Sequence, residues 1–245
     1  MTRSALLSAR RRSVEAQMPG VRIAVVYASL HGHTRVVAEH VAKGAESVSG
    51  ATVTVLELTA AQLDERGRWN DSSVMELLAA ADAIVLGSPT LMGSASGLMK
   101  LFFEKAFELW WGQAWKDKIA AGFTNSASRS GHKLSTLEQM AVFAAQMGMI
   151  WIGAGDPPGG NRSDSTPDDV NQLGSFLGLM TQSPSGSAGP SAGDRLTAER
   201  FGRRIARAAM RWALGAEAFP PRPFGETEAA RRDRAGLEEW RTFDD

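Results

Sequence analysis

A short apolar run that ends in a small, polar turn is the feature that most constrains this chain. Residues 23–28 read Ile-Ala-Val-Val-Tyr-Ala, and residues 29–34 read Ser-Leu-His-Gly-His-Thr. A continuous apolar run of this length is typical of a parallel strand that is buried on both faces. A helical pattern of apolar residues follows from Arg35 onward. The stretch therefore predicts a strand, a tight turn and the N-terminus of a helix.

The turn also predicts a site for an anion. The first N–H groups of a helix have no partner inside the helix, and the helix dipole favours negative charge at that end. Ser29 and Thr34 can add hydroxyl donors, and Gly32 lets the backbone approach a ligand closely. No Gly-Lys-Ser/Thr closes the turn, and one glycine cannot make a dinucleotide fingerprint. We predict a phosphate-binding loop formed by Ser29, Leu30, His31, Gly32, His33 and Thr34.

The residues of this turn leave two other interpretations open. Leu30-His31-Gly32 is similar to the Arg-His-Gly turn of histidine phosphatases, which also follows a first strand. Phosphoryl transfer to a histidine needs a cation beside it, and Leu30 occupies that position here. The second interpretation is an ordinary strand-to-helix turn that binds nothing.

Composition narrows the class of protein. Hydrophobic residues make up 43% of the 245 residues, which suits a globular protein with a sizeable core. Lys plus Arg and Asp plus Glu both number 27, so the charge balance predicts neither nucleic acid nor a membrane surface as the main partner. The chain has no cysteine and four histidines, which argues against a metal site. No apolar run reaches membrane-spanning length, and a cytoplasmic location is expected.

Four more predicted strands alternate with helices along the chain. They cover residues 51–58, 83–87, 118–124 and 149–153. Strands that alternate with helices predict a parallel sheet with right-handed crossovers. Polar, glycine-containing loops follow the first, third and fourth strands, at 29–34, 88–97 and 125–132. Because ligands bind beyond the carboxyl ends of such strands, these three loops are expected to converge on one crevice.

The rest of the chain suggests where the domain begins and ends. Residues 1–20 are basic and are expected to form a flexible N-terminal extension. A single domain is predicted over 21–215, with its last helix at about 194–214 and a Gly-, Pro- and Ser-rich insertion at about 154–193. A connection of that length in a compact domain is usually functional or part of an interface. Residues 216–245 are charged and rich in proline at their start, and are predicted to be a solvated tail.

With the three loops placed, the chain resembles the flavodoxin-like FMN proteins, and among them the WrbA-type NAD(P)H:quinone oxidoreductases of the NADPH-dependent FMN reductase group. The family's Ser-x-x-Gly-His phosphate loop is matched by Ser29, Gly32 and His33. Its loop against the flavin ring is matched by Pro89, Thr90, Gly93, Ser96 and Gly97, and its third loop by residues 125–131. The resemblance implies an α/β, flavodoxin-like, doubly wound sheet of five parallel strands in the order 2-1-3-4-5, with helices on both faces.

The resemblance further implies an FMN-dependent oxidoreductase. FMN would be bound non-covalently, and hydride from NAD(P)H would pass through it to a quinone or similar planar acceptor. The implied partners are a small-molecule acceptor and further copies of the chain, as a dimer or tetramer, without nucleic acid, membrane or metal. The implied FMN-binding residues are those of the first loop together with Pro89, Thr90, Leu91, Met92, Gly93, Asn125, Ser126, Ala127, Ser128, Arg129, Ser130 and Gly131. The expected substrate pocket comprises Trp110, Met92 and Met147, and the candidate catalytic residues are Arg129 and His132.

Several positions depart from the family's pattern. Met147 stands where many members have a histidine near the nicotinamide and quinone site, and Arg129 and His132 stand where glycine and an amide are usual. Substrate handling is therefore expected to differ even where FMN binding is kept. A flavodoxin that only carries electrons is the main alternative, although flavodoxins are shorter and typically strongly acidic. The sequence leaves the acceptor and the choice between NADH and NADPH open.

Overall fold

The computed structural model describes residues 20–218, so the predicted N-terminal extension (except Gly20) and most of the C-terminal tail lie outside the described residues. The strands in this range are β1 (Val21–Ala28), β2 (Ala51–Leu58), β3 (Ala83–Leu91), β4 (Ser94–Ala95), β5 (Ile119–Ser126), β6 (Ile150–Trp151) and β7 (Leu179–Gln182). The helices are α1 (His33–Glu46), α2 (Ser72–Ala80), α3 (Gly97–Trp110), α4 (Lys133–Gln146) and α5 (Ala192–Ala218).

The strands form one open sheet in the order β2-β1-β3-β5-β6. All pairs along this path are parallel, and β1 pairs with both β2 and β3, so that Ile23 lies opposite Val53 on one side and Ala83 on the other. The predicted fold class, an open α/β sheet with five strand positions in the order 2-1-3-4-5, is confirmed. The strand order reverses between β1 and β3, and in open parallel sheets the ligand crevice lies at that switch point.

The edge beside β5 differs from the prediction. A single fifth strand was predicted over 149–153, but two segments share this edge. β6 pairs with the start of β5 (Ile119 opposite Ile150), and β7 pairs with its end (Phe123 opposite Leu179). Residues 179–182, which lie within the predicted insertion of about 154–193, return to the sheet as β7. This return places a further strand end at the carboxyl edge of the sheet.

Each face of the sheet has its own core. Val26, Ile84 and Leu86 on one face pack with apolar residues of α2, α3 and α4. Val25 and Val85 on the other face pack with residues of α1 and α5. Alternation along each strand sends successive side chains to opposite faces, and both faces are covered by helices, so the central strands β1, β3 and β5 are apolar over most of their length. This layering leaves the strand ends as the place where polar loops gather.

The insertion is ordered by a buried asparagine. The side-chain amide of Asn171 donates to the carbonyl oxygens of Asp156 (2.9 Å) and Ser175 (3.0 Å). Its side-chain oxygen accepts from the Ser175 N–H at 2.9 Å, and its backbone N–H donates to the Thr197 hydroxyl at 2.8 Å. Asn171 has φ 49°, a left-handed conformation that asparagine tolerates better than most residues. The insertion is therefore tied to α5 and does not behave as a plain linker.

The chain divides after Leu214 into two units, and the described part of the second is the helical segment 215–218. The last helix is longer than predicted, since α5 runs from Ala192 to Ala218. None of the helices within residues 20–218 is long and apolar enough to cross a bilayer.

Candidate functional site

Four loops at the carboxyl ends of strands enclose one cavity of about 560 Å³. Its volume lies within the range of small-molecule and cofactor sites. We call it the strand-end cavity. The residues that line it are Leu30, His31, His33, Thr34, Pro89, Thr90, Leu91, Met92, Gly93, Asn125, Ser126, Ala127, Ser128, Gly131, His132, Ser183, Ser185 and Gly186.

The first loop gives the cavity a set of neutral hydrogen-bond donors. Gly32 precedes α1 with φ 82° and has no side chain that could cap the helix. Among the described residues, a side chain accepts from the first-turn N–H of Arg35 alone, so the N–H groups of His33 and Thr34 stay available to a ligand. Thr34 is 2% exposed and lines the cavity, and its hydroxyl forms no hydrogen bond with any residue between 20 and 218. A hydroxyl that lines the cavity at a helix N-terminus, with no partner among the described residues, suits a bound phosphate.

The nearest cation is engaged elsewhere. The guanidinium of Arg35 donates to both carboxylate oxygens of Glu57, at 2.9 and 2.7 Å. The Arg35 backbone N–H donates to the Ser29 hydroxyl at 3.3 Å, so Ser29 shapes the loop from outside the cavity lining. Burial raises the pKa of the neighbouring Tyr27 above its usual value, and the carboxylate of Glu57 adds to this effect. A phosphate in the first loop would thus be held by hydroxyl and backbone donors.

The second loop is a two-residue hairpin between β3 and β4. Leu91 lies opposite Ser94, and the residues between them, Met92 and Gly93, have φ 48° and 79°. Positive φ at both central residues is the requirement of a type I′ turn, which matches the twist of the strands it joins. The Met92 side chain is fully exposed at the tip, and Leu30 across the cavity is 54% exposed. These apolar side chains form a rim that suits a flat ring.

Buried hydroxyl groups fix the base of this hairpin. The Thr90 hydroxyl lies 2.8 Å from the hydroxyls of both Thr124 and Thr136. The Ser96 backbone N–H donates to the Ser88 hydroxyl at 2.9 Å. Because each of these groups would be costly to bury without a partner, the network holds the ends of β3 and β5 in one arrangement.

The third loop, residues 126–132, is held from below by a buried lysine. Lys133 is fully buried, and its ammonium group donates to the carbonyl oxygens of Ser128 and of Arg129, the latter at 2.8 Å. Burial lowers the pKa of Lys133 to about 8, while the carboxylate of Asp194 opposes that shift. Gly131 has φ 54°, and a Cβ there would lie 2.5 Å from the Ser126 hydroxyl, so the turn requires glycine.

The fourth loop, residues 183–186, was not predicted from the sequence. The Asn125 side-chain oxygen accepts from the hydroxyls of Thr181 (2.9 Å) and Ser183 (3.0 Å), which joins the ends of β5 and β7. The Gln182 side chain donates to the Ala127 carbonyl at 2.8 Å. The signal was present, because residues 179–182 are followed by Ser-Pro-Ser-Gly, the same change from strand to small polar residues as elsewhere. This strand end was missed because it lies within a segment whose Gly-, Pro- and Ser-rich composition predicted an insertion.

Asp194 supports the fourth loop and is itself buried. It is 4% exposed, and its carboxylate accepts from the Gln182 backbone N–H at 2.8 Å. Burial raises the pKa of Asp194 to about 6, against the opposing effects of the Gln182 N–H and of Lys133. The cavity is thus supported by two buried groups of opposite charge, one under the third loop and one behind the fourth.

A pH prediction follows from the raised pKa of Asp194. The value in the folded chain is about 6 and the ordinary value is 3.8, so between those pH values the folded state binds more protons than the unfolded state. The free energy of unfolding therefore falls as pH rises through this window, by roughly 3 kcal/mol. Asp194→Asn has no such titration. Urea unfolding measures the stability of the variant relative to wild type, and this difference should shift in favour of the variant by about that amount between pH 4 and pH 7. If the stabilities of the two proteins change in parallel with pH, the raised pKa of Asp194 is contradicted.

The structure distributes the predicted site residues over three places. Most of the predicted cofactor residues line the strand-end cavity, whereas Ser29 and Gly32 flank it. Arg129 and Ser130 line a separate cavity on the outer side of the third loop, so of the two catalytic candidates only His132 reaches the strand-end cavity. The predicted substrate pocket is not brought together. Met92 lies at the strand-end cavity, while Trp110 and Met147 line a crevice of about 200 Å³ between α3 and α4.

Comparison with known proteins gives consistent results. The family model described as NADPH-dependent FMN reductase matches residues 21–161. Flavodoxin FldP of Pseudomonas aeruginosa is 36% identical over 185 residues, covering 75% of this chain and 94% of that protein. An NAD(P)H dehydrogenase (quinone) of Geotalea uraniireducens is 30% identical, covering 79% of this chain and all of that protein. Among solved structures, a flavodoxin, WrbA-like protein from Agrobacterium tumefaciens matches with TM-score 0.57 and 34% identity, covering 78% of this chain and 99% of that one.

Proposed function

The chain belongs to the NADPH-dependent FMN reductase family, and on that premise we propose that it oxidises NAD(P)H and passes the electrons through bound FMN to a quinone or similar planar acceptor. FMN, when bound, supplies the redox chemistry by accepting a hydride and giving up two electrons. One observation carries the proposal: four strand-end loops meet at a cavity with neutral phosphate donors on one side and an apolar rim on the other. Relatives described as NAD(P)H dehydrogenase (quinone) support the acceptor class.

The first loop would hold the phosphate of FMN. The open N-terminus of α1 and the unpartnered hydroxyl of Thr34 provide donors there, and Ser183 and Ser185 of the fourth loop add hydroxyls to the lining. Since Arg35 is paired with Glu57, the binding would depend on hydrogen bonds in a preformed cradle rather than on a cation. Donors fixed before the ligand arrives reduce the entropy cost of binding.

The second and third loops would border the flavin ring. Leu30, Leu91 and Met92 provide apolar surface that excludes water from the ring and from a flat acceptor beside it. The third loop contributes backbone groups whose positions are set by Lys133. His132 borders the same cavity, and it is the candidate for moving a proton to a bound acceptor.

The direct test is a reconstitution. Purified protein is loaded with FMN, freed of excess flavin, and mixed with NADPH or NADH in the presence of 1,4-benzoquinone. The proposal expects a flavin absorbance spectrum that stays with the protein and oxidation of at least one of the two dinucleotides that depends on the quinone. FMN-loaded protein that oxidises neither dinucleotide would contradict it.

Thr34→Val tests the phosphate cradle by removing one hydroxyl without changing the size of the side chain. Loss of a hydrogen bond to a charged group costs about 1.5–3 kcal/mol, so we expect FMN to dissociate roughly ten- to a hundredfold more readily. Fluorescence titration of FMN measures the change. Thr54→Val, an exposed threonine on β2, is the matched control and should bind FMN as wild type does. Equal affinities of the two variants would show that Thr34 makes no contact with the ligand.

A flavodoxin-type electron carrier is the second candidate, and the similarity to Flavodoxin FldP supports it. A carrier would bind FMN in the same cavity but would not oxidise NAD(P)H by itself. Tight FMN binding without NAD(P)H oxidation in the reconstitution would favour the carrier. Family membership leaves no support for the histidine phosphatase suggested by His31 and Gly32.

A homo-oligomeric state and a cytoplasmic location stay predictions. The exposed aromatic end of α3 supports the first, because Phe107 and Trp111 are 55% and 39% exposed and pack on Trp110. Clustered exposed aromatic residues are typical of interfaces between protein chains.

A further inference from the structure

A second cavity, of about 710 Å³, lies on the outer side of the third loop. We call it the Arg129 cleft. One wall is the turn from Arg129 into α4, and the opposite wall is the insertion, including Asn161 and Gln172. His132 lines both the Arg129 cleft and the strand-end cavity. The two cavities are therefore neighbours that share His132 as a common wall.

The Arg129 cleft contains a guanidinium group that forms no direct ion pair with a carboxylate of the described residues, although the charge of Asp194 acts on it from a longer distance. Arg129 is exposed, and it donates to the side-chain oxygen of Gln172 at 2.7 Å, which is a neutral acceptor. In the described part of the chain no carboxylate lies within 4.0 Å of it. Gln172 fixes one edge of the guanidinium, and within residues 20–218 the remaining donors have no hydrogen-bond partner. A guanidinium held in this way is suited to bidentate binding of a phosphate.

A second cation adds to the positive potential from beneath. Lys133 also lines the Arg129 cleft, and its ammonium group is directed to the carbonyl oxygens of Ser128 and Arg129. Its nearest opposing charge, Asp194, does not line the cleft. α4 begins at this point, and its N-cap residue His132 makes no side-chain capping hydrogen bond, so the positive end of the helix dipole adds to the potential of the two cations. Among the described residues that line the cleft, Glu138 is the one carboxylate, against Arg129, Lys133 and His132.

We propose that the Arg129 cleft binds the phosphate-bearing part of NAD(P)H while the nicotinamide ring enters the strand-end cavity past His132. The inference rests on the proposed oxidoreductase function. A nicotinamide dinucleotide has a flat reactive ring at one end and phosphates further along, which matches a cavity for a ring beside a cationic cleft. A simple quinone has no phosphate, so the Arg129 cleft would distinguish the electron donor from the acceptor.

Arg129→Gln tests the assignment in the FMN-loaded protein. We expect the KM for NADPH or NADH to rise about tenfold. The expected rise is kept this small because Arg129 is exposed and solvent weakens its interaction with a phosphate. The kcat and the KM for 1,4-benzoquinone should stay within about twofold of wild type. Added salt should raise the KM of wild type toward that of the variant and should have less effect on the variant. Arg22→Gln is the matched control, because Arg22 is an exposed arginine at the opposite end of β1 and should leave every constant unchanged.

The outcomes separate this inference from the proposed function. A rise in KM for both dinucleotides supports contact with their shared pyrophosphate, and a rise for NADPH alone supports contact with the extra phosphate of NADPH. An unchanged KM for NADPH and NADH overturns the inference and leaves the function intact. The same variant is also assayed with a carboxylated quinone as the acceptor. If only the KM for that quinone rises, the inference is overturned, because the cleft would then bind the acceptor.

Calorimetric titration with NADP⁺ keeps the inference testable if wild type oxidises neither dinucleotide. The FMN-loaded wild type and Arg129→Gln are each titrated with NADP⁺, the probe that carries the phosphates without the reducing equivalent. Binding that weakens about tenfold in the variant supports the cleft even without turnover. Absence of NADP⁺ binding to wild type, or equal binding to both proteins, overturns it.

Discussion

Gly202→Ala is expected to lower the free energy of unfolding by about 3 kcal/mol, the largest effect on stability that we predict for a single methyl group. Gly202 of α5 faces α1 so closely that a Cβ would lie 1.9 Å from the Val41 carbonyl oxygen. The contact is reciprocal, since a Cβ on Gly44 of α1 would lie 1.9 Å from the Glu199 carbonyl oxygen. Both obstacles are backbone atoms of helices, so the clash can be relieved only by separating the helices and opening the core between them.

Urea unfolding of wild type and variant measures this loss. Gly215→Ala on the same helix is the control, because apart from its chain neighbours and the backbone of its own helix no described residue lies within 4 Å of its Cβ position. Alanine is the better helix former, so the control should be as stable as wild type or slightly more so. If Gly202→Ala behaves like the control, then α1 and α5 do not cross at these glycines.

Lys133→Met is expected to weaken FMN binding by more than tenfold and to lower the free energy of unfolding by about 3 kcal/mol. The methionine fits the space but cannot donate to the carbonyl oxygens of Ser128 and Arg129, which Lys133 holds in the wild type. It also removes from the buried carboxylate of Asp194 the stronger of its two opposing charges, since Arg129 remains. Because the third loop borders the strand-end cavity, its loosening reduces the order of the site before FMN arrives.

Two further variants separate the effect of Lys133 on the third loop from the effect of its charge on Asp194. Lys118→Met is the matched control, because Lys118 also donates to two carbonyl oxygens, of Ala79 and Ala81, but at the opposite end of β5. It should lower stability without changing FMN affinity. The double variant Lys133→Met with Asp194→Asn removes both buried charges and should recover part of the stability but not the FMN affinity. Wild-type FMN affinity in Lys133→Met would show that Lys133 does not position the loop.

The sequence was informative wherever the signal is local. Periodicity separates strands from helices within a few residues, and the change from the apolar run 23–28 to the polar turn 29–34 marks a strand end without knowledge of any partner. Parallel strands place their carboxyl ends at one edge, so the meeting of the loops at 29–34, 88–97 and 125–132 could be argued before the structure. The resemblance to the FMN proteins rested on the same three segments.

The sequence was less informative where the outcome depends on which side of a loop a residue faces. Arg129 and Gly131 lie two positions apart, yet Gly131 lines the strand-end cavity and Arg129 lines the neighbouring cleft. Trp110 and Met147 carried no signal that they lie away from Met92. The fourth loop was missed because β7 follows an insertion whose composition suggested irregular structure, although its alternating burial is that of a strand.

By itself, the sequence determined the order of strands and helices, the class of sheet and three of the four loops at the site, because these depend on backbone preferences and burial patterns within short segments. Only the tertiary structure decided the contacts between distant segments. These include the return of β7 beside β5, the crossing of α1 and α5 at Gly44 and Gly202, and the placement of Asp194 near Lys133. Such contacts depend on how whole elements pack, and a pattern of a few residues does not contain the identity of a partner more than about fifty positions away.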